Sequence, residues 1–156
     1  MKKIIAIFVA VSLYGCASVD SQVSKSFVPR NGNKLSLTIK NDSGVSIPVD
    51  QYQLLETQIR EGLSQNGLLA AHEKNSQYAV IVNLHTFKLR SDASRLTVGI
   101  LAGCDNINST VIVNDKITNE EIGNSQISIK ECGAWGVASQ VIKKYTDGVV
   151  TYLSNK

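Results

Sequence analysis

The chain has 156 residues, of which 43% are hydrophobic and 19% charged, and its formal net charge is +3. This length and composition indicate a single globular domain with a core of its own. The Lys and Arg residues are scattered and are not interleaved with aromatic residues, so the chain lacks the basic patch of a nucleic-acid-binding protein. We therefore predict no nucleic-acid partner.

The first sixteen residues have the layout of a secretory signal. Lys2 and Lys3 precede an apolar run of about ten residues, which ends in Leu-Tyr-Gly-Cys at residues 13–16. As a helix this run would rise only about 15 Å, about half of a bilayer core, so it cannot remain as a spanning helix. The Leu-Tyr-Gly-Cys ending resembles the lipobox of bacterial lipoproteins.

That resemblance implies a signal peptide over residues 1–15, cleavage before Cys16, and a diacylglycerol on the Cys16 thiol with acyl chains such as palmitate. Two or three acyl chains anchor a protein stably to a membrane. Ala17 in place of Asp after the cysteine implies, by the enterobacterial sorting rule, the outer membrane with the domain facing the periplasm. Two alternatives stay open: an ordinary signal peptide with an incidental Cys16, and an apolar N-terminal strand.

Residues 16–34 are rich in Ser, Asn and Lys and contain Pro29 and Gly32. They are predicted to form a flexible tether between the lipid and a domain over residues 35–156. Eighteen residues of flexible coil have a root-mean-square span of about 25 Å.

Within the domain, apolar periodicity predicts the order β-α-β-β-β-α. The predicted strands cover residues 35–40, 78–84, 107–113 and 122–129, with a possible short strand at 95–101. One helix starts at a capping box of Asp50 and Gln53 and stops at Asn66-Gly67. The other covers residues 134–153, with Val137, Val141, Ile142, Tyr145, Val149, Tyr152 and Leu153 on its apolar face. The fold class is α+β: a two-layer sandwich in which two helices pack on a mainly antiparallel sheet of about four strands.

Cys104 and Cys132 are predicted to form a disulfide. Each lies fourteen residues from Thr118, within the predicted hairpin turn, so the two cysteines meet across the open end of the hairpin. The envelope compartment permits such a bond. Two free thiols, or a metal pair without other ligands, are the alternatives.

The lipobox, the β-α-β start and the stretch Gly99-Ile100-Leu101-Ala102-Gly103 before a hairpin with an Asp-x-x-Thr-x-Glu turn together resemble a group of small bacterial lipoproteins. This group is known as domain of unknown function 4410. The resemblance covers about residues 35–153 and implies a fold and a location, but no reaction.

No motif nominates a catalytic centre, a metal site or a cofactor. His72 and His85 lack metal-binding spacing, and we expect a surface His72 and a hydrogen-bonded His85. No Gly-x-Ser-x-Gly elbow is present, although a Ser/His/Asp triad can assemble from distant residues. Asp115, Glu120 and Glu121 are interpreted as solvated turn residues.

Two features are candidate partner-binding sites. One is the apolar stretch with Val98, Gly99, Ile100 and Leu101, which could dock a partner or fold onto the core. The other is Trp135, flanked by Gly133 and Gly136 and following Cys132 closely; it could be an exposed anchor or pack on the disulfide.

The sequence therefore predicts a non-enzymatic outer-membrane lipoprotein whose periplasmic domain binds another envelope component as a scaffold or assembly factor. The lipid would concentrate the domain near its partner. An inhibitor or decoy of a periplasmic or invading enzyme is the alternative, and a small envelope hydrolase with His85 or His72 as base is a third hypothesis.

Overall fold

The computed structural model describes residues 18–91, 103–132 and 137–155. Within these residues, five strands and two long helices follow one another in the order β1, β2, α1, β3, β4, β5, α2, with a 3-10 turn at Glu73–Asn75. Their bounds are β1 Ser18–Lys25, β2 Leu35–Asn41, α1 Val49–Gln65, β3 Tyr78–Lys88, β4 Asp105–Asp115, β5 Glu121–Glu131 and α2 Ala138–Ser154. The class is α+β, as predicted.

The strands form one mixed sheet in the order β1-β5-β4-β3-β2. β2 and β3 are parallel, and α1 supplies the crossover that a parallel pair requires. The other three pairings are antiparallel. The prediction of about four strands was one short, because β1 was not foreseen.

β1 corrects the predicted tether. Residues 18–25 were expected to be flexible coil, but they pair with β5 from Ser18 opposite Lys130 to Lys25 opposite Asn124. Val19, Ser21 and Val23 alternate toward the helices, and a period of two is the pattern of a half-buried strand. Only two of these three side chains are apolar. Hydrogen bonding to β5 and packing against the helices therefore stabilise the strand more than its own β propensity does.

Both helices pack on one face of the sheet, and the core lies between the two layers. Leu55, Ile59 and Leu63 of α1 are fully buried at helical spacing. The apolar face of α2 is confirmed from Val141 to Leu153, except that Val137 caps the helix and is 41% exposed. Deep in the core the Tyr145 hydroxyl donates a hydrogen bond to Ser109 Oγ at 2.6 Å, and burial raises the pKa of Tyr145.

The predicted N-terminal capping of α1 is wrong, whereas its predicted C-terminal end is confirmed. The helix begins at Val49 with Pro48 as its N-cap and no side-chain capping bond, so the predicted Asp50 and Gln53 capping box is wrong. Pro48 supplies a fixed backbone angle in place of a capping side chain. Asn66 and Gly67 end the helix as predicted, and Gly67 has a φ of +67°.

The β4–β5 hairpin and its disulfide are confirmed. Asn119 takes the left-handed conformation in the turn, with a φ of 58°. Asp105 lies opposite Glu131, which places Cys104 and Cys132 just beyond the last pair with their Cα atoms 4.2 Å apart. The possible strand at 95–101 lies outside the described residues.

Candidate functional site

A groove of about 560 Å³ runs between β1, at the edge of the sheet, and α2. We call it the β1–α2 groove. The side chains that shape its walls include Val19, Val23 and Phe27 on one side and Gly148, Thr151 and Tyr152 on the other. This volume is within the range of pockets that hold small ligands or the side chains of a partner.

Gly148 sets how closely β1 approaches the helix. A Cβ atom at this position would lie 2.6 Å from Val19 Cγ1, closer than nonbonded carbon atoms can approach. The absence of a side chain therefore lets Val19 lie against α2 at one end of the groove. Val23, farther along the strand, is 49% exposed, so the groove is open to solvent at Val23.

The other end of β1 is held by Phe27 and Tyr152. Phe27 is buried and packs edge-on against Tyr78, with ring centroids 5.5 Å apart. The Tyr152 hydroxyl donates a hydrogen bond to the Lys25 carbonyl at 2.9 Å. Burial, reinforced by the negative charge of Glu121, raises the pKa of Tyr152 to about 12.

The charges at the rim of the groove are paired. Lys144 reaches Glu131 at 3.2 Å, and Asp147 accepts from Lys143 at 2.8 Å. With its rim charges balanced and a neutral Tyr152, the groove is suited to an apolar or neutral surface rather than to an ion.

β1 also has a free edge. It is the outermost strand of the sheet, and within the described ranges no other strand pairs with its outer side. An unpaired edge presents backbone N–H and C=O groups that can accept a strand from another chain. The groove and this edge therefore form one continuous surface for a partner.

A second polar constellation lies on the sheet face that the helices leave uncovered. His85 Nδ1 is 2.7 Å from Asp42 Oδ2, and His85 Nε2 is 2.7 Å from Thr110 Oγ1. A carboxylate only accepts hydrogen bonds, so Nδ1 donates to Asp42. With its proton on Nδ1, a ring without a second proton can accept the Thr110 hydroxyl hydrogen at Nε2. The predicted hydrogen-bonded His85 is confirmed, and its contacts follow the Asp-His-hydroxyl order of a catalytic triad.

This constellation is open to solvent. The side chains of His85 and Asp42 are 36% and 55% exposed. His85 lies at an irregularity in the pairing of β3 with β4, a position where a strand turns a side chain away from the regular pattern. His72, as expected, is exposed.

The sequence-based site residues have different outcomes. Cys16, Val98, Gly99, Ile100, Leu101 and Trp135 lie outside the described residues. Cys104 and Cys132 are bonded as predicted. In the described part of the chain, no three His, Cys, Asp or Glu side chains are grouped as metal ligands, and no helix is long and apolar enough to cross a membrane.

Sequence reasoning missed the β1–α2 groove. Its signals were present but weak: the alternation of Val19, Ser21 and Val23, and a glycine at 148 in the middle of an amphipathic helix. A glycine inside a helix lowers the stability of the helix. Its presence there often means that another element packs closely against the helix at that point.

No protein-family model matches the chain. The search of curated proteins also found no match. The solved structures that share its fold include a PelC dodecamer from Paraburkholderia phytofirmans and a single-substitution variant of the same dodecamer in another crystal form. They are 12% and 13% identical to this chain, and each match covers 88% of this chain and 98% of theirs with a TM-score of 0.64. At this identity the likeness concerns the fold.

Proposed function

We propose that this protein is a lipid-anchored protein of the bacterial envelope that acts by binding and assembly rather than by catalysis. The Leu-Tyr-Gly-Cys ending at residues 13–16 supports the lipid anchor, and Ala17 after the cysteine supports location in the outer membrane. The resemblance to the domain of unknown function 4410 group supports the same location. The observation that carries the binding role is the β1–α2 groove beside the free edge of β1.

The envelope component that we propose for this surface is a second copy of the chain. A groove with balanced charges fits the uncharged part of a protein surface, and the open β1 edge adds backbone hydrogen bonds. The two PelC structures that share the fold are dodecamers, so this architecture can assemble. A contact between the groove of one copy and a different surface of the next is heterologous, and such contacts close into rings when the rotation permits.

One matched pair of substitutions tests self-assembly. Thr151 lies on the groove wall, whereas Thr57 is an exposed residue of α1 away from it. In the lipid-free Cys16→Ser protein, Thr151→Arg should shift the mass measured by light scattering from oligomer to monomer. Thr57→Arg, with the same added charge and bulk, should leave the oligomer intact.

A monomer at all concentrations, without either substitution, would exclude self-assembly in solution. Affinity capture from solubilised envelopes then separates the other binding roles. An envelope complex captured only by the lipidated protein supports a scaffold for another component. A soluble target captured equally by the lipidated and Cys16→Ser forms supports the inhibitor or decoy.

The hydrolase hypothesis has one specific observation in its favour, the Asp42–His85–Thr110 chain of hydrogen bonds. Thr110 Oγ would attack an ester carbonyl while His85 Nε2 takes its proton, and His85 would return that proton to the leaving alkoxide. Water would then release the acyl group from Thr110. The exposure of His85 and Asp42 argues against this role, because active sites exclude water.

Hydrolysis of p-nitrophenyl acetate decides this second candidate. A hydrolase would lose its turnover in Thr110→Val and retain it in Thr38→Val, a control at an exposed residue of β2. Equal rates in both variants and in the unsubstituted protein would exclude Thr110 as nucleophile.

A further inference from the structure

The position of β1 fixes how the domain meets the membrane, if Cys16 carries the proposed lipid. Ser18 is the first residue of β1, and it lies opposite Lys130 near the end of β5. Cys16 precedes Ser18 by two residues, and two residues span at most about 7 Å. An anchor at Cys16 therefore has little slack, in contrast to the span of about 25 Å for a flexible tether.

One end of the sheet lies beside Ser18, and we call it the anchor end. β3 and β5 end there at Lys88 and Glu131, and β4 begins there at Asp105. The Cys104–Cys132 disulfide closes the same end. The opposite end is the β4–β5 turn, which an eleven-residue strand places about 35 Å away.

The charges at the anchor end suit an anionic lipid surface. Two of the acidic groups among the described residues of this end are occupied in ion pairs: Asp105 with the buried Arg90 at 2.9 Å, and Glu131 with Lys144 at 3.2 Å. Lys88 and Lys130 are exposed at the same end. Lysines near a membrane surface are attracted to its anionic head groups by about 1 kcal/mol each.

We infer that the anchor end rests against the lipid head groups, so that the sheet stands upright on the membrane and the β4–β5 turn points away from it. The length of chain between the lipid and the first strand carries this inference, which depends on the proposed lipidation. In this orientation the β1 edge and the β1–α2 groove face sideways along the membrane. A second copy anchored in the same leaflet would then meet the groove at the same height.

Short-range fluorescence quenching tests the orientation in the lipidated protein. A bimane fluorophore is attached at Lys130→Cys or at Ile117→Cys, an 85% exposed position in the distal turn. The protein is bound to vesicles of phosphatidylcholine and phosphatidylglycerol that contain a head-group nitroxide lipid. We expect strong quenching at position 130 and none at position 117.

A flexible insertion provides the matched control. Twelve Gly and Ser residues placed between Ala17 and Ser18 add a span of about 19 Å and should abolish the quenching at position 130. Vesicle flotation is measured on every sample. Equal quenching at both positions, or none at 130, in protein that floats would overturn the orientation and leave the lipid anchor standing. Protein that does not float, with lipid absent from Cys16 by mass spectrometry, would overturn the anchor itself.

Discussion

The buried ion pair at the anchor end should be one of the strongest single contributions to stability. Arg90 and Asp105 are 3% and 0% exposed, and their side chains meet at 2.9 Å. Asp105 Oδ1 also accepts the backbone N–H of Arg90 at 2.7 Å, so one carboxylate fixes both the side chain and the main chain after β3. Asp105→Asn keeps one oxygen for that N–H but removes the negative charge that faces the Arg90 guanidinium at 2.9 Å.

Removing one partner of a buried ion pair typically lowers the free energy of unfolding by about 3–5 kcal/mol. We expect a loss of about 3 kcal/mol, because the Asn side chain keeps an oxygen that can accept the Arg90 N–H. With an m-value of about 2 kcal/mol/M, the urea midpoint should fall by about 1.5 M. Asp147→Asn is the matched control, since its ion pair with Lys143 is more than half exposed on both sides and is worth about 0.3–0.5 kcal/mol. If both substitutions lowered the midpoint equally, the buried pair would not have the role that its burial indicates.

Three further predictions concern packing and linkage. Replacing Cys104 and Cys132 by Ala removes a cross-link with a sequence separation of 28, and the chain-entropy model predicts that the free energy of unfolding falls by about 3.6 kcal/mol. In urea unfolding, a reductant should lower the free energy of unfolding of the unsubstituted protein by the same amount. Gly62→Ala would place a Cβ 2.6 Å from Val150 Cγ2 where the helices meet, so it should destabilise by about 1–3 kcal/mol in thermal or urea unfolding despite the better helix propensity of Ala. Because the pKa of Tyr152 is raised to about 12 in the fold, stability should be full below pH 10 and fall between pH 10 and 12, and Tyr152→Phe should show a smaller fall in urea titrations at each pH.

The sequence was sufficient for the elements whose pattern is local. The hairpin could be predicted because strand alternation, the turn and both cysteines are set by spacing, and the register of Asp105 opposite Glu131 follows from that spacing. The helices could be predicted for the same reason, since a periodic apolar face is needed wherever a helix covers a sheet.

The parts that could not be predicted depend on distant contacts. β1 has few apolar residues, and it is a strand because β5 offers it a pairing edge and Gly148 gives Val19 room against α2. The His85 contacts also required the fold, which brings Asp42 and Thr110 to one ring from 43 and 25 residues away in sequence. The candidate site was missed because the groove exists only once β1 is in place.

Lipid anchoring and sideways assembly lead to one more prediction. Copies that stand upright in the same leaflet share a height and an orientation, so the β1–α2 groove of each meets its neighbour without the loss of rotational freedom that free copies undergo. Confinement to a surface also raises the effective concentration of the partner surface.

The lipidated protein on vesicles should therefore assemble at total concentrations where the Cys16→Ser protein is still monomeric, as measured by chemical cross-linking of both forms across a dilution series. Thr151→Arg should remove the difference by blocking the groove, whereas Thr57→Arg should preserve it. Assembly of both forms at the same concentration would show that the anchor does not orient the copies for this contact.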